Sequence, residues 1–302
     1  MNSEWPSVGV VIPTHDRPGP VREALRSVLD QFYPGRLRII VVYDRAAPDQ
    51  SLASEGDRPV TVVKNDRTPG LAGARNTGIT LLDTELVAFL DDDDEWLPGK
   101  LNAQVAALGQ SAEMCTTAIE VAYRGKYNVR LAGRSTIDHG DLLRSRMMML
   151  HSSTFLFRRN ALLGGLGLIA EDAPGSQNED WDVLLRAARR RSICHVDSPY
   201  VQVNWAGSHF ETRWDTKISS LKWILDRHPE IHGCPEGAAR VYGQLACWHA
   251  AVGDRKTALK WATRATRYHP AEPRAAVALA AAAGLVSIPN VMATLHRRGK
   301  GI

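Results

Sequence analysis

Residues Val87-Ala88-Phe89-Leu90 run directly into Asp91-Asp92-Asp93-Asp94-Glu95, and Trp96-Leu97-Pro98 follows. Four apolar residues without alternation predict a strand buried on both faces, as in a parallel sheet covered by helices. The acids then sit at the carboxyl end of that strand, the edge where open parallel sheets bind ligands. Two carboxylates about 5 Å apart repel by roughly 3 kcal/mol at an effective dielectric near 20, so this cluster requires a cation or full solvation. Hard oxygen donors suit Mg²⁺ or Mn²⁺, and a Mg²⁺ on one or two carboxylates completes its shell with water and substrate phosphates. A diphosphate ligand is the leading expectation.

The competing reading is a solvated acidic turn between a strand and a helix; the buried strand before the acids and Trp96-x-Pro98 after them favour a fixed geometry. An EF-hand loop beginning at Asp91 would put Trp96 and Asn102 where Gly and Glu are required. A haloacid-dehalogenase-type phosphatase would want Thr or Val where the chain has Glu95.

Upstream, Val8–Ile12 reads as a buried strand broken by Pro13-Thr14-His15-Asp16-Arg17-Pro18. A helix follows with Val21, Leu25, Val28, Leu29 and Phe32 on one face, then strands at Ile39–Tyr43 and Val60–Val63. This alternation predicts a parallel sheet with right-handed crossovers. No G-x-G-x-x-G follows the first strand, which excludes a dinucleotide fingerprint, and the Gly-rich entry of a sugar nucleotidyltransferase is missing too. Asp44 closes the second strand at the ligand edge, as a base N–H acceptor or a turn cap. Thr68–Gly78 is a Gly-rich entry to a helix, with Arg75 near the exposed amides that favour anions, as a surface residue or a contact to a phosphate or to the acid cluster.

Beyond the acids, Leu97–Leu108 predicts a helix with Pro98 in its first turn. Residues 114–157 are less regular, with strand-like pieces at Cys115–Tyr123 and Thr154–Phe157 and a Met147-Met148-Met149 run that reads as core. Gln177–Ala188 predicts a helix capped by Asn178 or Glu179, with Glu179 and Asp180 in its first turn. Carboxylates there cap the helix, and Asp180 is also a candidate proton acceptor. A strand at Ser192–Val196, a loop at Val203–His209 and an amphipathic helix at Thr212–His228 complete this part.

From Glu236 the composition turns to Ala, Arg and helix formers. One helix runs to about Val252, a second from Arg255 to Tyr268, and Pro270–Pro273 precedes a third. The spacing resembles one tetratricopeptide repeat and the start of another.

At 302 residues with 44% hydrophobic and 23% charged content, the chain suits one large domain or two unequal ones. A net charge of +4 attracts an anionic nucleotide but is too small to argue for nucleic acid. Cys115, Cys194, Cys234 and Cys247 lack C-x-x-C spacing and read as reduced thiols. No signal-peptide core or long apolar span is present, which predicts a cytoplasmic protein, peripheral at most to the inner face of a membrane.

Taken together, Val10–Arg17, Gly73–Gly78, Phe89–Leu101 and Glu179–Asp182 resemble the family-2 inverting glycosyltransferases of the GT-A fold, over about residues 7–228. The resemblance implies an α/β GT-A domain at 1–230, with the helical region at 236–302 following it. It implies that Pro13, Thr14 and Asp44 line the base pocket and that Arg75 approaches the base or diphosphate. Asp91, Asp92 and Asp93 would form the D-x-D metal and ribose site, with Asp91 and Asp93 on the metal. Asp180 would be the general base. Relatives commonly have Asp-Asp-Gly-Ser where this chain has Tyr43-Asp44-Arg45-Ala46, and many have a His where Asn204 is the match, with His209 as a substitute. The implied reaction is metal-dependent (Mn²⁺ or Mg²⁺) inverting transfer of a sugar from a nucleotide-diphosphate donor, UDP-linked, to a glycan, lipid-linked, peptide or small-molecule acceptor. The alternative is an inactive nucleotide-binding scaffold that works through the helical tail as a dimerisation or partner-binding module.

Overall fold

The computed structural model describes residues 5–205 and 213–297. Its contacts gather the chain into two compact units interleaved in sequence. The first comprises Met1–His139, Met147–Glu171 and Val183–Ala206; the second comprises Gly140–Arg146, Asp172–Asp182 and Gly207–Ile302.

The first unit opens with β1 (Val8–Thr14), α1 (Pro18–Leu29), β2 (Leu37–Tyr43), β3 (Val60–Lys64), α2 (Leu71–Leu81) and β4 (Leu86–Phe89). Next come β5 (Glu95–Trp96), α3 (Lys100–Leu108), β6 (Met114–Tyr123), β7 (Lys126–Arg130) and β8 (Thr136–Ile137). After α4 (His139–Arg144), grouped from Gly140 on with the second unit, follow β9 (Leu156–Arg158), α5 (Arg159–Leu163), α6 (Glu179–Arg190), whose residues to Asp182 are grouped with the second unit, and β10 (Ile193–Asn204). The strands form one sheet in the order β3-β2-β1-β4-β9-β6-β10-β5, with β7 on β6 and β8 on β10.

The architecture is α/β as expected, with a sheet whose longer ladders are parallel and whose remaining strands join antiparallel. β3, β2, β1 and β4 are parallel; β9 then runs antiparallel to both β4 and β6. The strand order reverses about β1, which lies between β2 and β4, so a crevice is expected at the carboxyl ends of β1 and β4. Every residue of β1 and β4 is buried, the consequence of their unalternating apolar runs. Pro13 does not break β1 but pairs with Val42 near its end. On β1, α2 packs without room for a side chain at Gly78, where a Cβ would lie 2.4 Å from Val11.

Three boundaries differ from expectation for local reasons. Helix α3 begins at Lys100, not Pro98, because Gly99 at φ +84 turns the chain into the helix from the left-handed region. β10 continues to Asn204 as it follows β6, although its register shifts around Pro199, so Asn204 ends a strand instead of opening a loop. Residues 206–212, including His209, lie outside the described residues.

Lys100 is fully buried, donates to Gln104 Oε1 at 2.7 Å and lies 3.9 Å from the Trp96 ring centroid. Burial pushes its ammonium down to about 7 from 10.5. Across that interval the unfolded chain binds the proton that the folded chain has released, so stability rises with pH. Lys100→Met should flatten this rise between about pH 7 and about pH 9, where tyrosines do not yet titrate. Urea midpoints of both proteins at the two pH values check it.

In the second unit the helices are α7 (Trp214–Arg227), α8 (Pro235–Ala251), α9 (Arg255–Tyr268), α10 (Pro273–Ala282) and α11 (Ile288–Arg297). Gly253-Asp254 and Pro273 set the breaks between α8, α9 and α10, as the sequence predicts. Small residues allow close approach: Ala238, Ala239 and Ala246 on α8, Ala258, Ala262 and Ala265 on α9, and Ala275, Ala278 and Ala282 on α10 are all buried.

Candidate active site

The four aspartates after β4 take different sets of partners, with Arg17 shared by two of them. Asp91 accepts from Arg75 Nη2 at 2.6 Å and from Ser152 Oγ at 2.9 Å. Asp92 accepts from Thr14 Oγ1 at 2.6 Å and from Arg17 Nη1 at 3.1 Å. The same Arg17 nitrogen donates to Asp93 at 2.6 Å. Asp94 points inward, 2% exposed, and accepts from Ser153 Oγ at 2.6 Å with His151 Nδ1 at 3.2 Å. Asn204 closes the cluster: its side-chain amide donates to the Asp93 carbonyl at 2.9 Å and its backbone N–H to Asp94 Oδ1 at 3.3 Å.

These surroundings split the acids electrostatically. Burial alone would raise Asp91, but the charges of Arg75 and His151 and the bonds from Arg75 and Ser152 outweigh it and lower its pKa. Burial raises Asp92 despite the Thr14 bond and the Arg17 charge. Asp93, the most exposed of the four side chains, is pushed up to about 6 by desolvation and by Asp94, Asp91 and Asp92, which Arg17 only partly offsets. One carboxyl of the cluster therefore holds its proton to near neutrality unless more positive charge arrives.

Arg75 is not a surface residue: it is 1% exposed, with its guanidinium 5.5 Å from the Phe89 ring centroid. A buried arginine fixed on the first aspartate organises the strand end. Asp44 is 5% exposed, and its oxygens accept from Asn65 at 2.9 Å, the Gly70 amide at 3.0 Å and Arg45 at 2.8 Å. Burial opposes ionisation here, but those bonds outweigh it and hold the carboxyl low. Asp44 thus ties β2 to the loop that enters α2. Gly73 in that entry is obligatory, since a Cβ there would lie 1.9 Å from the Thr68 carbonyl oxygen.

Asp91, Asp94 and His151 offer one ligand atom each within 4.8 Å of one another. Two carboxylates and an imidazole at this spacing fit a divalent cation. Asp93, expected beside Asp91 on the metal, is not in that group. The turn 151–154 was missed in the sequence because nothing local marks it. It reaches the acids through the pairing of Ala88 with Leu156, and only its His and hydroxyl content hinted at a polar site.

In the second unit Asp180 lies in the first turn of α6 and is 7% exposed. Its Oδ1 accepts from the Trp181 N–H at 2.7 Å, and its Oδ2 pairs with Arg146. Burial works against the Arg146 charge, but Asp180 and Glu179 raise its pKa on balance. Two residues on, Asp182 is fully buried between Arg227 at 2.7 Å and His228 at 2.8 Å. Neighbouring acids of one helix are thus divided between a partly exposed pair and a structural one.

Known proteins share the family and the fold of this chain. A colanic acid biosynthesis glycosyl transferase, WcaA of Escherichia coli K12, described as putative in that role, is 31% identical over 105 residues, covering 33% of this chain and 37% of that protein. YwdF of Bacillus subtilis, an uncharacterized glycosyltransferase, is 27% identical over 241 residues, 76% of this chain and 85% of its own. The match spans about a third of the length of the first curated relatives. In structure, Staphylococcus aureus TarS 1–349 in complex with UDP-GlcNAc superposes with a TM-score of 0.62 at 15% identity, over 97% of this chain and 92% of that one. The mannosyltransferase PcManGT of Pyrobaculum calidifontis, in complex with GDP-Man and Mn²⁺, gives 0.56 at 18% identity, over 98% and 85%. At such identities these likenesses establish the GT-A type of fold. The family model described as Glycosyl transferase family 2 matches residues 9–164, from β1 through the acids and the 151–154 turn. With that match over more than half of its length, the chain belongs to glycosyl transferase family 2.

Proposed function

We propose that this chain transfers a sugar from a nucleotide-diphosphate donor, UDP-linked, to an acceptor hydroxyl with inversion. The observation that carries the reading is the strand-end group of Asp91–Asp94 with Arg75, Arg17 and Thr14, at the point where the strand order reverses. TarS complexes with UDP-GlcNAc and with UDP, and relatives named as UDP-glucose enzymes, support a uridine donor.

In this reading Asp91, Asp94 and His151 would hold the cation, whose charge would favour the ionised form of Asp93. Asp92, with Pro13, Thr14 and Asp44, shapes the nucleotide side, and Arg75 keeps Asp91 charged and fixed in direction. A bound Mn²⁺ or Mg²⁺ would offset charge on the departing diphosphate. Asp180 accepts the proton of the acceptor hydroxyl, with Arg146 orienting its carboxylate. Three curated relatives are named for acceptors on diphosphoundecaprenol, which supports a lipid-linked glycan acceptor at the inner face of a membrane. No helix among the described residues is long and apolar enough to cross one, so such an acceptor would be met at the surface. Residues 1–230 would carry donor and acceptor chemistry, and 236–302 attachment.

The test is thermal unfolding with UDP, dTDP, GDP and CMP, each with Mn²⁺, with Mg²⁺ and with chelator. UDP with metal should stabilise by about 2.7 kcal/mol at a hundred times its dissociation constant, and chelator should remove the effect. His151→Gln should weaken metal-dependent binding at least as much as Asp93→Asn. If only Asp93→Asn does so, the cation sits on Asp91 and Asp93 instead; if no nucleotide stabilises the protein, the donor reading falls.

A further inference from the structure

Helix α9 carries Arg255, Lys256, Lys260, Arg264 and Arg267 and no acid. That is one charge more than the whole chain's net +4, so the rest of the protein supplies no positive excess. At 3.6 residues per turn, Lys256, Lys260, Thr263, Arg264 and Arg267 fall within about 100° of one another, directly opposite the buried Ala258, Ala262 and Ala265. The four cations span roughly 16 Å along the axis. A charge run is usually a solvated face, and three observations separate this one from that case.

The first is pairing. Several exposed arginines elsewhere pair with carboxylates, Arg22 with Asp49, Arg36 and Arg38 with Asp83 and Arg190 with Glu113, whereas Arg26 and Arg124 stand singly among the described residues and form no row. Among the described residues no carboxylate lies within ion-pair distance of Lys256, Lys260, Arg264 or Arg267. The second is preorganisation, since Arg264 rests 4.4 Å above the Tyr242 ring and 5.4 Å from that of Trp261. That contact restrains the guanidinium beside the two rings. The third is shape: Lys260, Thr263, Arg264, Arg267 and Tyr268 line a shallow, open hollow on the helix face, with two hydroxyls among the cations.

We propose that this face of α9 docks the protein on the phosphate headgroups of an anionic bilayer. A row of this length exceeds what one phosphate can contact and suits a surface of many headgroups. Leu259, 45% exposed on the flank of the row, offers an apolar contact beside the cations. Basic residues near an anionic leaflet each strengthen binding by about fivefold, and the attraction fades with added salt. The proposal rests on the reading of a membrane-side acceptor and supplies the surface that would bring the chain to it.

The experiment is co-sedimentation of the full chain with phosphatidylglycerol vesicles and with phosphatidylcholine vesicles over a sodium chloride series. The triple variant K256Q/K260Q/R267Q spares the packed Arg264 and keeps good helix formers. The protein should pellet with phosphatidylglycerol only, the triple variant should bind about a hundredfold more weakly, Lys260→Gln alone about fivefold, and R36Q/R38Q should bind as the unaltered chain. Overturning results are no binding to phosphatidylglycerol, equal binding to phosphatidylcholine, or triple and single variants that bind undiminished. Release from vesicles by millimolar inorganic phosphate or by a DNA duplex, at constant ionic strength, would also overturn it, by assigning the face to a soluble anion or to nucleic acid. Stabilisation by UDP and metal, measured in parallel, should be the same in all variants; its absence in the unaltered chain would bring down the donor reading while the vesicle result stood by itself.

Discussion

Asp180→Asn should retain metal-dependent UDP binding and lose transfer by about 10²- to 10⁴-fold, the range a positioned general base contributes. The substitution is nearly isosteric. Its amide oxygen can still accept from the Trp181 N–H, which Asp180 Oδ1 does at 2.7 Å, so the first turn of α6 keeps its bond. What disappears is the capacity to take a proton and the charge opposite Arg146. Loss of charge alone is separated by Arg146→Gln, which leaves a carboxylate at 180 without its guanidinium partner and should reduce transfer less than Asp180→Asn. UDP release from a panel of UDP-sugars, read beside the nucleotide-induced stabilisation, checks both. Unchanged release in Asp180→Asn removes Asp180 from the base role. Loss of nucleotide stabilisation in that variant would show that the substitution disturbs more than proton transfer.

The parts of this protein that were legible in its sequence are those fixed by local pattern. Val87–Leu90 has no alternation, so burial on both faces and a ligand edge at Asp91 followed directly. Gly253-Asp254 and Pro273 punctuate α8, α9 and α10 where the composition says they should. What local pattern cannot give is the direction of side chains in a tight turn. Asp91, Asp92, Asp93 and Asp94 are equivalent in the sequence, yet one meets Arg75, two share Arg17 and the fourth is buried against Ser153. Long-range strand pairing is equally hidden. Antiparallel β9 delivers His151, Ser152 and Ser153 to the acids from some sixty residues away, and the same strand makes the sheet mixed. For Arg75 the sequence left a surface role and an acid-cluster contact open; residues 72–79 are all buried, and the contact is with Asp91.

Removal of Arg75 is expected to be the most damaging single change in the first unit, and its rescue by metal separates two accounts of Asp91. Arg75→Met preserves much of the volume and the apolar contact with Phe89 but leaves Asp91 largely buried without its cation. Breaking a buried pair by removing one partner costs about 3–5 kcal/mol, which for a unit of this size lowers the melting temperature by on the order of 10 °C. The carboxylate left behind still accepts from Ser152, but one bond does not replace a charge. If Asp91 is a ligand, a divalent cation supplies the missing positive charge, and Mn²⁺ should stabilise Arg75→Met more than it stabilises the unaltered protein, where Arg75 already meets that need. If Asp91 serves only to anchor Arg75, Mn²⁺ should shift both proteins equally, and the deficit should persist at saturating metal. Melting curves of the two proteins across a Mn²⁺ titration distinguish these outcomes without any acceptor. They bear directly on whether the first aspartate after β4 belongs to the donor site or to the frame that holds it.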